Sequence, residues 1–433
     1  MRVRIWIRIG LSILALAGLG LPACQAELPP PEPVSLTFSF PAVDRAYYGP
    51  LIQTFQAQHP LLTITLSTWN ENNQDIRNRG DVRALTTFSG PGLQGGSETR
   101  PNASAELLAL DELIQVDLPS VQPLERQDFA PGALEAFSWG GKILALPYGL
   151  DPFVLFYNQE LFETAGVAPP QPGWTPDDFL AAAVQLTRPE EGVYGYLPVL
   201  ELYDPVFFVY LFGGRLFDSS DRPTFNDPLV AQALSWYARL FVEYGAALPV
   251  KEVRSQYSTE GGAFGMLFAG KAAMFILPLS IYQSGLGGQR EFPFRVGVAR
   301  LPALPGGAYL SQVEGYAIAL QTAHRRECWE LLRYLLEQPN PRLVPARLSL
   351  AQSTEYERLV GKDLAALGQE ALEQGVIITP GMRAMYPGAL QPFLDAVAAI
   401  TEGRAGVLEA LEEAQRQAEA AGPRSEERRV GKE

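Results

Sequence analysis

The stretch GGKILALPYGLDPFVLFYNQELFETAGVAPPQPGWTPDDFLAAAVQLT, residues 140–187, carries the clearest structural pattern in this chain. It holds two short apolar runs, at residues 143–148 and 153–157, separated by a Gly-Leu-Asp-Pro link at residues 149–152. Both runs are rich in aliphatic and aromatic residues and are bounded by turn formers. The pattern therefore predicts two buried strands with a carboxylate in the link between them.

Two helices are expected after these strands. Asn158 opens a short helix that ends near Gly166, a glycine of the kind that follows helix C-termini. Thr175 is a good N-cap, and Pro176 suits the first position of a second helix. Strand and helix signals thus follow one another in the order expected of an α/β protein.

These residues resemble the extracellular solute-binding proteins of ABC importers, in particular the sugar-binding family that includes maltose-binding protein. The shared positions are Gly141-Lys142, Leu146-Pro147, Tyr157-Asn158, Ala165-Gly166 and Leu186-Thr187, with the spacing kept over about 45 residues. Later segments match as well, including Gly213-Gly214 before a hairpin and the Gly270-Lys271-Ala272-Ala273-Met274 turn. The resemblance implies an α/β, two-lobed periplasmic-binding-protein-like fold of class II type. It also implies mixed sheets flanked by helices and hinge crossovers that join the lobes.

Composition is compatible with this class and excludes others. The chain has 433 residues, 47% hydrophobic and 19% charged, which is enough for more than one core. A formal net charge of −14 disfavours nucleic acid as a partner. With only two cysteines, Cys24 and Cys328, and no His/Cys cluster, neither a disulfide framework nor a metal site is expected.

The first 33 residues have the pattern of an export signal and a tether. Three arginines precede an apolar run that ends Leu21-Pro22-Ala23-Cys24, which looks like a bacterial lipobox. In that interpretation residues 1–23 are a signal peptide and Cys24 carries the lipid; ordinary secretion with a chance cysteine is the alternative. Residues 24–33 are proline-rich and predict a stiff arm.

The remaining chain is expected to weave between two lobes. Strand, helix and strand signals at residues 34–40, 44–58 and 61–67 predict a right-handed parallel unit. Residues 34–148 with about 316–355 form the predicted N-terminal lobe, and residues 149–312 with about 356–423 form the C-terminal lobe. Crossovers are expected at residues 149–153 and near 313–316. A long helix is predicted at 229–244, an irregular segment at 375–386 and a helical segment at 387–421. Residues 424–433 look like a non-native tail.

A sugar receptor needs aromatic faces and ionised or amide groups around one cleft. Carrying the family's cleft over by position gives Phe88, Ser89, Asp151, Glu201, Tyr203, Pro278, Tyr282, Arg383 and Tyr386 as candidates. The loop after the first strand adds Asp44 and Arg45, because ligands of parallel sheets bind beyond the carboxyl ends of strands, and Tyr148 and Glu314 lie at the expected crossovers. Two tryptophan positions of maltose-binding protein fall on Pro278 or its neighbours and on Tyr386, so the resemblance does not fix a maltodextrin as ligand.

Each candidate also has a structural interpretation. Asp151 before Pro152 could be only a turn residue, and Glu201 could simply favour a helix start. The tyrosines could be core residues with satisfied hydroxyls. Asp44 and Arg45 could mark an exposed helix start.

The sequence therefore predicts a lipid-anchored, monomeric receptor without cofactor. It would deliver a small solute, most simply a sugar or oligosaccharide, to ABC permease subunits of the cell membrane. A receptor for polyamine, iron or peptide on the same fold remains an alternative, because acidic side chains lie among the candidates. A carbohydrate-active surface enzyme is a second alternative, although no hydrolase or nucleotide-binding motif is present. A purely structural surface lipoprotein is a third.

Overall fold

The computed structural model describes residues 32–69, 80–86, 106–116, 124–200, 204–218, 220, 222–256, 262–284, 291–378 and 390–421. The described strands, in chain order, are β1 (Val34–Pro41), β2 (Leu62–Trp69), β3 (Val82–Thr86), β4 (Ser138–Trp139), β5 (Lys142–Ile143), β6 (Leu146–Asn158), β7 (Tyr194–Leu197), β8 (Ala272–Pro278), β9 (Val296–Ala299), β10 (Tyr309–Ile318), β11 (Val344–Pro345) and β12 (Gly375–Ile377).

The described α-helices flank these strands. They are α1 (Arg45–Gln58), α2 (Asp111–Val116), α3 (Gln159–Ala165), α4 (Pro176–Leu186), α5 (Asp204–Leu211), α6 (Pro228–Ala238), α7 (Val250–Gln256), α8 (Ala263–Phe268), α9 (Ser280–Ser284), α10 (Arg325–Leu336), α11 (Leu348–Ala351), α12 (Thr354–Val360), α13 (Lys362–Gln374), α14 (Gln391–Thr401) and α15 (Val407–Ala421).

One mixed sheet runs through the molecule in the order β2-β1-β3-β10-β6-β8-β7. Its first strands, β2, β1 and β3, are parallel, as the strand-helix-strand pattern predicts. The central strands β10 and β6 are antiparallel to each other and to β3 and β8, their outer neighbours. The sheet therefore has a parallel end, an antiparallel middle, and β7 parallel to β8 at its other end.

Two separate hydrophobic cores lie along this sheet. The smaller core, which defines the first lobe, is built on β1, α1 and α10 and includes Phe38, Tyr48 and Leu332. The larger core, which defines the second lobe, is built on the second half of β6, α4, α5 and β8 and includes Phe179 and Phe207. The protein is thus two-lobed, with mixed sheet and flanking helices.

The chain changes core on three segments that pair with one another, besides a stretch at residues 129–143 whose side chains are shared between the two cores. In each, neighbouring residues belong to different cores: Tyr148 to the first and Leu150 to the second, Val313 to the second and Tyr316 to the first, Leu343 to the first and Val344 to the second. The first two changes fall on β6 and β10, and the third falls where β11 pairs with β6 at Leu150 and Gly149. Three crossing segments therefore lie side by side. The finer residue bounds of the predicted lobes stay predictions.

The prediction of two separate strands at residues 143–148 and 153–157 was wrong, because β6 runs unbroken from Leu146 to Asn158, while Ile143 belongs to β5. The Gly-Leu-Asp-Pro link is not a turn, because its four residues pair with β10 from Glu314 back to Ser311. Beyond Pro152 the same strand pairs with β8 and β9 instead. Turn-forming residues are tolerated here because strand pairing holds them extended.

Three further segment predictions need correction. The helix predicted at 229–244 is α-helical only to Ala238 and continues as a wider π-turn over Arg239–Glu243. The segment predicted to be irregular begins with β12, which pairs with β10. The predicted helical segment at 387–421 is two helices, with Gly403 at a positive φ of 68° between them.

Candidate functional site

Seven of the predicted functional residues lie outside the described part of the chain. They are Cys24, Phe88, Ser89, Glu201, Tyr203, Arg383 and Tyr386. Their roles stay predictions. The other candidates can be placed.

Four predicted residues meet where the chain changes core. Asp44 ends a 3₁₀ turn, Ala42–Asp44, that follows β1, so it lies beyond the carboxyl end of a parallel strand, where ligands of such sheets bind. Tyr148 and Asp151 are on β6, and Glu314 is on β10. All four side chains are buried, which excludes the exposed helix start proposed as an alternative for Asp44.

Arg342 joins these residues and was missed by the sequence analysis. Its Nε and Nη2 donate to the two carboxylate oxygens of Asp44 at 3.0 and 2.9 Å. Its Nη1 and Nη2 donate to the two oxygens of Glu314, both at 2.9 Å. One guanidinium therefore forms a two-pronged pair with each of two carboxylates, the strongest hydrogen-bonding geometry for these groups. Burial acts to lower the pKa of Arg342, but Glu314 and Asp44 beside it outweigh burial and raise that pKa well above its usual value.

Asn340 fixes the position of this arginine. Its side-chain oxygen accepts a hydrogen bond from the Arg342 backbone N–H at 2.9 Å, and its amide nitrogen lies 3.4 Å from Asp44 Oδ1. The four-residue set Asp44, Glu314, Asn340 and Arg342, here called the junction cluster, is buried throughout. Its charged members are paired, as burial in a low-dielectric interior requires.

Tyr148 packs on the same cluster through both its ring and its hydroxyl. The hydroxyl donates to Glu314 Oε2, and the ring stacks on Tyr316 with centroids 4.1 Å apart and planes 11° apart. The β6–β10 register shifts between Glu314 and Gly315, so a bulge lies at Tyr148. A bulge changes the direction in which a side chain points. This explains why the Tyr148 ring departs from the regular alternation of side chains between the two faces of β6. Burial, with Glu314 beside it, raises the pKa of Tyr148 well above its usual value.

Asp151 is bound by the second lobe. Its Oδ1 accepts from the Ser280 backbone N–H at 2.9 Å, and its Oδ2 accepts from the Ser280 hydroxyl at 2.7 Å. Burial raises the pKa of the Asp151 carboxyl to about 7, although Arg342 and the two Ser280 hydrogen bonds act against that rise. Asp151 therefore holds the start of α9 in place beside the crossing strands, and the turn interpretation is wrong.

The remaining described candidates are Pro278, Tyr282 and Arg45. Pro278 ends β8 opposite Phe153, and Tyr282 follows four residues later, in α9. The Tyr282 side chain is 40% exposed and its ring meets Phe156 edge to face. Arg45 begins α1 next to Asp44 and is exposed.

Asp204 is a second polar residue that the sequence analysis missed. It is fully buried at the start of α5, accepts from the Leu200 backbone N–H at 2.9 Å, and is hydrogen-bonded to Tyr196. This hydrogen bond joins Leu200 to Asp204, the residues on either side of positions 201–203, where Glu201 and Tyr203 are predicted to bind the solute. The sequence signal for this residue was Asp204-Pro205 before an apolar run, which is typical of a helix start.

The charge balance of the site limits what it can bind. Three carboxylates, from Asp44, Glu314 and Asp151, face one guanidinium, and the carboxylates accept hydrogen bonds from Arg342 or Ser280. Among the described residues, no group of three His, Cys, Asp or Glu could hold a metal ion. These acids are therefore engaged inside the protein. The alternative of a cationic solute rested on acidic side chains among the candidates, and their internal pairing weakens it.

A separate cavity of about 710 Å³ lies in the second lobe, bordered by Tyr194, Phe241, Lys251 and Arg404. Tyr194 belongs to β7, the edge strand most distant from β10 and β6 in that half of the sheet. This cavity is thus remote from the junction cluster. In the described part of the chain, no helix is both long and apolar enough to cross a bilayer.

Comparison with known proteins gives a consistent picture. A family model described as bacterial extracellular solute-binding protein matches residues 95–340, more than half of the chain. A probable ABC transporter-binding protein of Deinococcus radiodurans is 26% identical over 250 residues, covering 55% of this chain and 58% of that protein. A mannitol-binding protein of Pseudomonas aeruginosa is 30% identical over 215 residues, covering 45% of this chain and 44% of that protein. This chain spans about half the length of these two relatives.

A solved structure shows the same fold. The ABC substrate-binding protein of Listeria monocytogenes in complex with cycloalternan superposes with a TM-score of 0.66 and 17% identity, over 89% of this chain and 98% of that one. At this identity the likeness concerns the fold alone.

Proposed function

This chain belongs to the family of bacterial extracellular solute-binding proteins, and from that premise we propose that it delivers a neutral, polyhydroxylated solute to an ABC importer. The solute class is a sugar, sugar alcohol or oligosaccharide. Family membership implies a location outside the cytoplasm. The proposal adds a lipid anchor on Cys24, a monomeric receptor, and ABC permease subunits as partners.

The observation that carries the proposal is the meeting of two cores at three crossing segments with paired polar groups between them. Such a junction bends without disrupting either core, so the lobes can close by hinge motion. A solute that contacts both lobes shifts the equilibrium towards the closed form. The free energy of that shift is at most the difference between its binding free energies for the closed and open forms. The predicted rings Tyr282, Tyr203 and Tyr386 would supply apolar faces for a sugar.

The comparisons agree with a neutral solute. The mannitol-binding relative and the cycloalternan complex both concern uncharged polyhydroxylated ligands. The internal pairing of Asp44 and Glu314 with Arg342 agrees as well, since both carboxylates already accept hydrogen bonds from a guanidinium of the chain. The family consists of binding proteins, and we propose no catalytic activity for this chain.

A thermal-shift panel tests the proposal. Saccharides and sugar alcohols, putrescine and spermidine, and ferric salts are added to the purified protein, because a ligand that binds only the folded state raises the Tm. A saturable rise with a saccharide or polyol, confirmed by calorimetric titration, is expected. A rise with spermidine alone would replace the proposal by the polyamine alternative, and turnover of a labelled glycan would replace it by the enzyme alternative.

A matched pair of variants locates the site. Tyr282→Ala should weaken solute binding by roughly 10-fold or more, the loss of one stacking ring. Tyr244→Ala removes a tyrosine of equal exposure, 41%, near the remote cavity and should leave the affinity unchanged.

A further inference from the structure

The junction cluster has an arrangement in which an arginine of the chain takes the place of a positively charged ligand. Asp44, Glu314 and Arg342 are 3%, 6% and 8% exposed, so the guanidinium is enclosed between two carboxylates. Both pairs have two hydrogen bonds each, at 2.9–3.0 Å. A small cation bound by two acids would make the same contacts.

The location of the cluster connects it to solute binding. Asp44 follows β1, a strand of the first lobe, and Glu314 lies on the crossing strand β10. The hydroxyl of Tyr148 links Glu314 to the other crossing strand, β6. Arg342 comes immediately before Leu343 and Val344, where the third of the crossing segments passes from one core to the other. The cluster therefore lies where the two lobes join.

We propose that Arg342 is a specificity-determining residue: its guanidinium is a built-in counter-ion that excludes cationic solutes from the place where the two lobes join. This inference rests on the proposed function, since it concerns the charge of the solute that the receptor accepts. Without Arg342, two buried carboxylates face one another uncompensated, which is strongly unfavourable and draws in a cation. With it, the space between the carboxylates already holds a positive charge, and an added cation would meet a like charge there.

The test is a rescue experiment on the purified protein. In Arg342→Ala the side chain is truncated and methylguanidinium, at millimolar concentration, is offered as its replacement. The variant should gain saturable methylguanidinium binding at least about 10-fold tighter than the parent, with a Tm rise of roughly 2–5 °C at saturation. Putrescine should bind the variant more tightly than the parent. We expect neither cation to change the Tm of the parent.

Arg300→Ala is the matched control. Arg300 also makes a two-pronged contact with a carboxylate, Glu370, at 2.7 and 3.1 Å, but that pair is about one-third exposed and has one acid. Its loss should create no cation site. A gain of methylguanidinium binding in Arg300→Ala equal to that in Arg342→Ala would overturn the proposal, because cation uptake would then be unspecific.

A second variant keeps the result decisive if Arg342→Ala does not fold. Arg342→Gln keeps a polar side chain with an amide donor but removes the charge, and it should bind putrescine more tightly than the parent. Failure of both variants to gain cation binding overturns the proposal. Saccharide binding is measured in parallel on the parent: its absence would count against the proposed function, whereas the methylguanidinium result alone decides the role of Arg342.

Discussion

Gly149 lies directly against Leu343, so that two of the three crossing segments touch without room for another atom. A Cβ placed on Gly149 would be 2.6 Å from Leu343 Cδ1 and 2.8 Å from Leu343 Cβ. The same glycine pairs with Glu314 on β10 and with Pro345 on β11. The absent side chain of Gly149 is what lets the three segments lie side by side.

Gly149→Ala should therefore destabilise the protein. The added methyl group collides with a buried leucine held on a neighbouring segment, and overpacking of this kind costs about 1–3 kcal/mol in the free energy of unfolding. The midpoint of urea unfolding measures the change. Because the collision is at the junction, solute affinity should fall as well.

Gly49→Ala is the control for this substitution. A Cβ at Gly49 in α1 meets nothing within 4 Å, and alanine is favoured over glycine inside a helix by about 1 kcal/mol. It should leave stability equal or higher. If Gly149→Ala behaves like Gly49→Ala, the crossing segments are more loosely packed than the structure indicates.

Asp151→Asn should change how stability depends on pH. The carboxyl has a pKa of about 7 in the folded protein, chiefly because it is buried, whereas an aspartate of the unfolded chain titrates near pH 4. Between these values the folded form holds a proton that the unfolded chain has released. The free energy of unfolding of the parent thus falls as pH rises through this window, by up to about 1.4 kcal/mol per pH unit.

Asparagine does not titrate, so the stability of Asp151→Asn relative to the parent should rise from pH 4 to pH 7 and then stay level. Urea unfolding at several pH values gives this difference directly. A difference that is constant from pH 4 to pH 8 would show that Asp151 is ionised throughout, with Ser280 and Arg342 outweighing its burial.

Cys24→Ala should release the protein from the membrane. The sequence Leu21-Pro22-Ala23-Cys24 predicts lipid attachment at this cysteine, so the parent should enter the detergent phase on partition and the variant the aqueous phase. Cys328→Ala, at the buried cysteine of α10, is the control and should partition like the parent. A Cys24→Ala protein that stays in the detergent phase would contradict the lipid anchor.

Local sequence signals predicted the helix ends well. Thr175 and Asp178 form a reciprocal capping box at the start of α4, and Asn158 caps α3, which ends at Gly166 with a φ of 66°. These features depend on residues three or four apart, so a single sequence contains them. The resemblance to the family then supplied the two-lobed fold.

The junction cluster could not be predicted in the same way. Arg342 pairs with Glu314 at a separation of 28 residues and with Asp44 at 298, and no periodic pattern connects such positions. The continuity of β6 was missed for a related reason, because glycine and proline signal a turn locally while pairing with β10 holds them extended. Long-range contacts decide both features.

The order in which the chain supplies its first core has a consequence for synthesis. That core begins at Leu36 but also requires α10 and Leu343, which follow most of the second core along the chain. At about 5–20 residues per second, roughly 15–60 s separate the translation of these two ends. The N-terminal lobe therefore cannot complete its core until residue 343 has been translated.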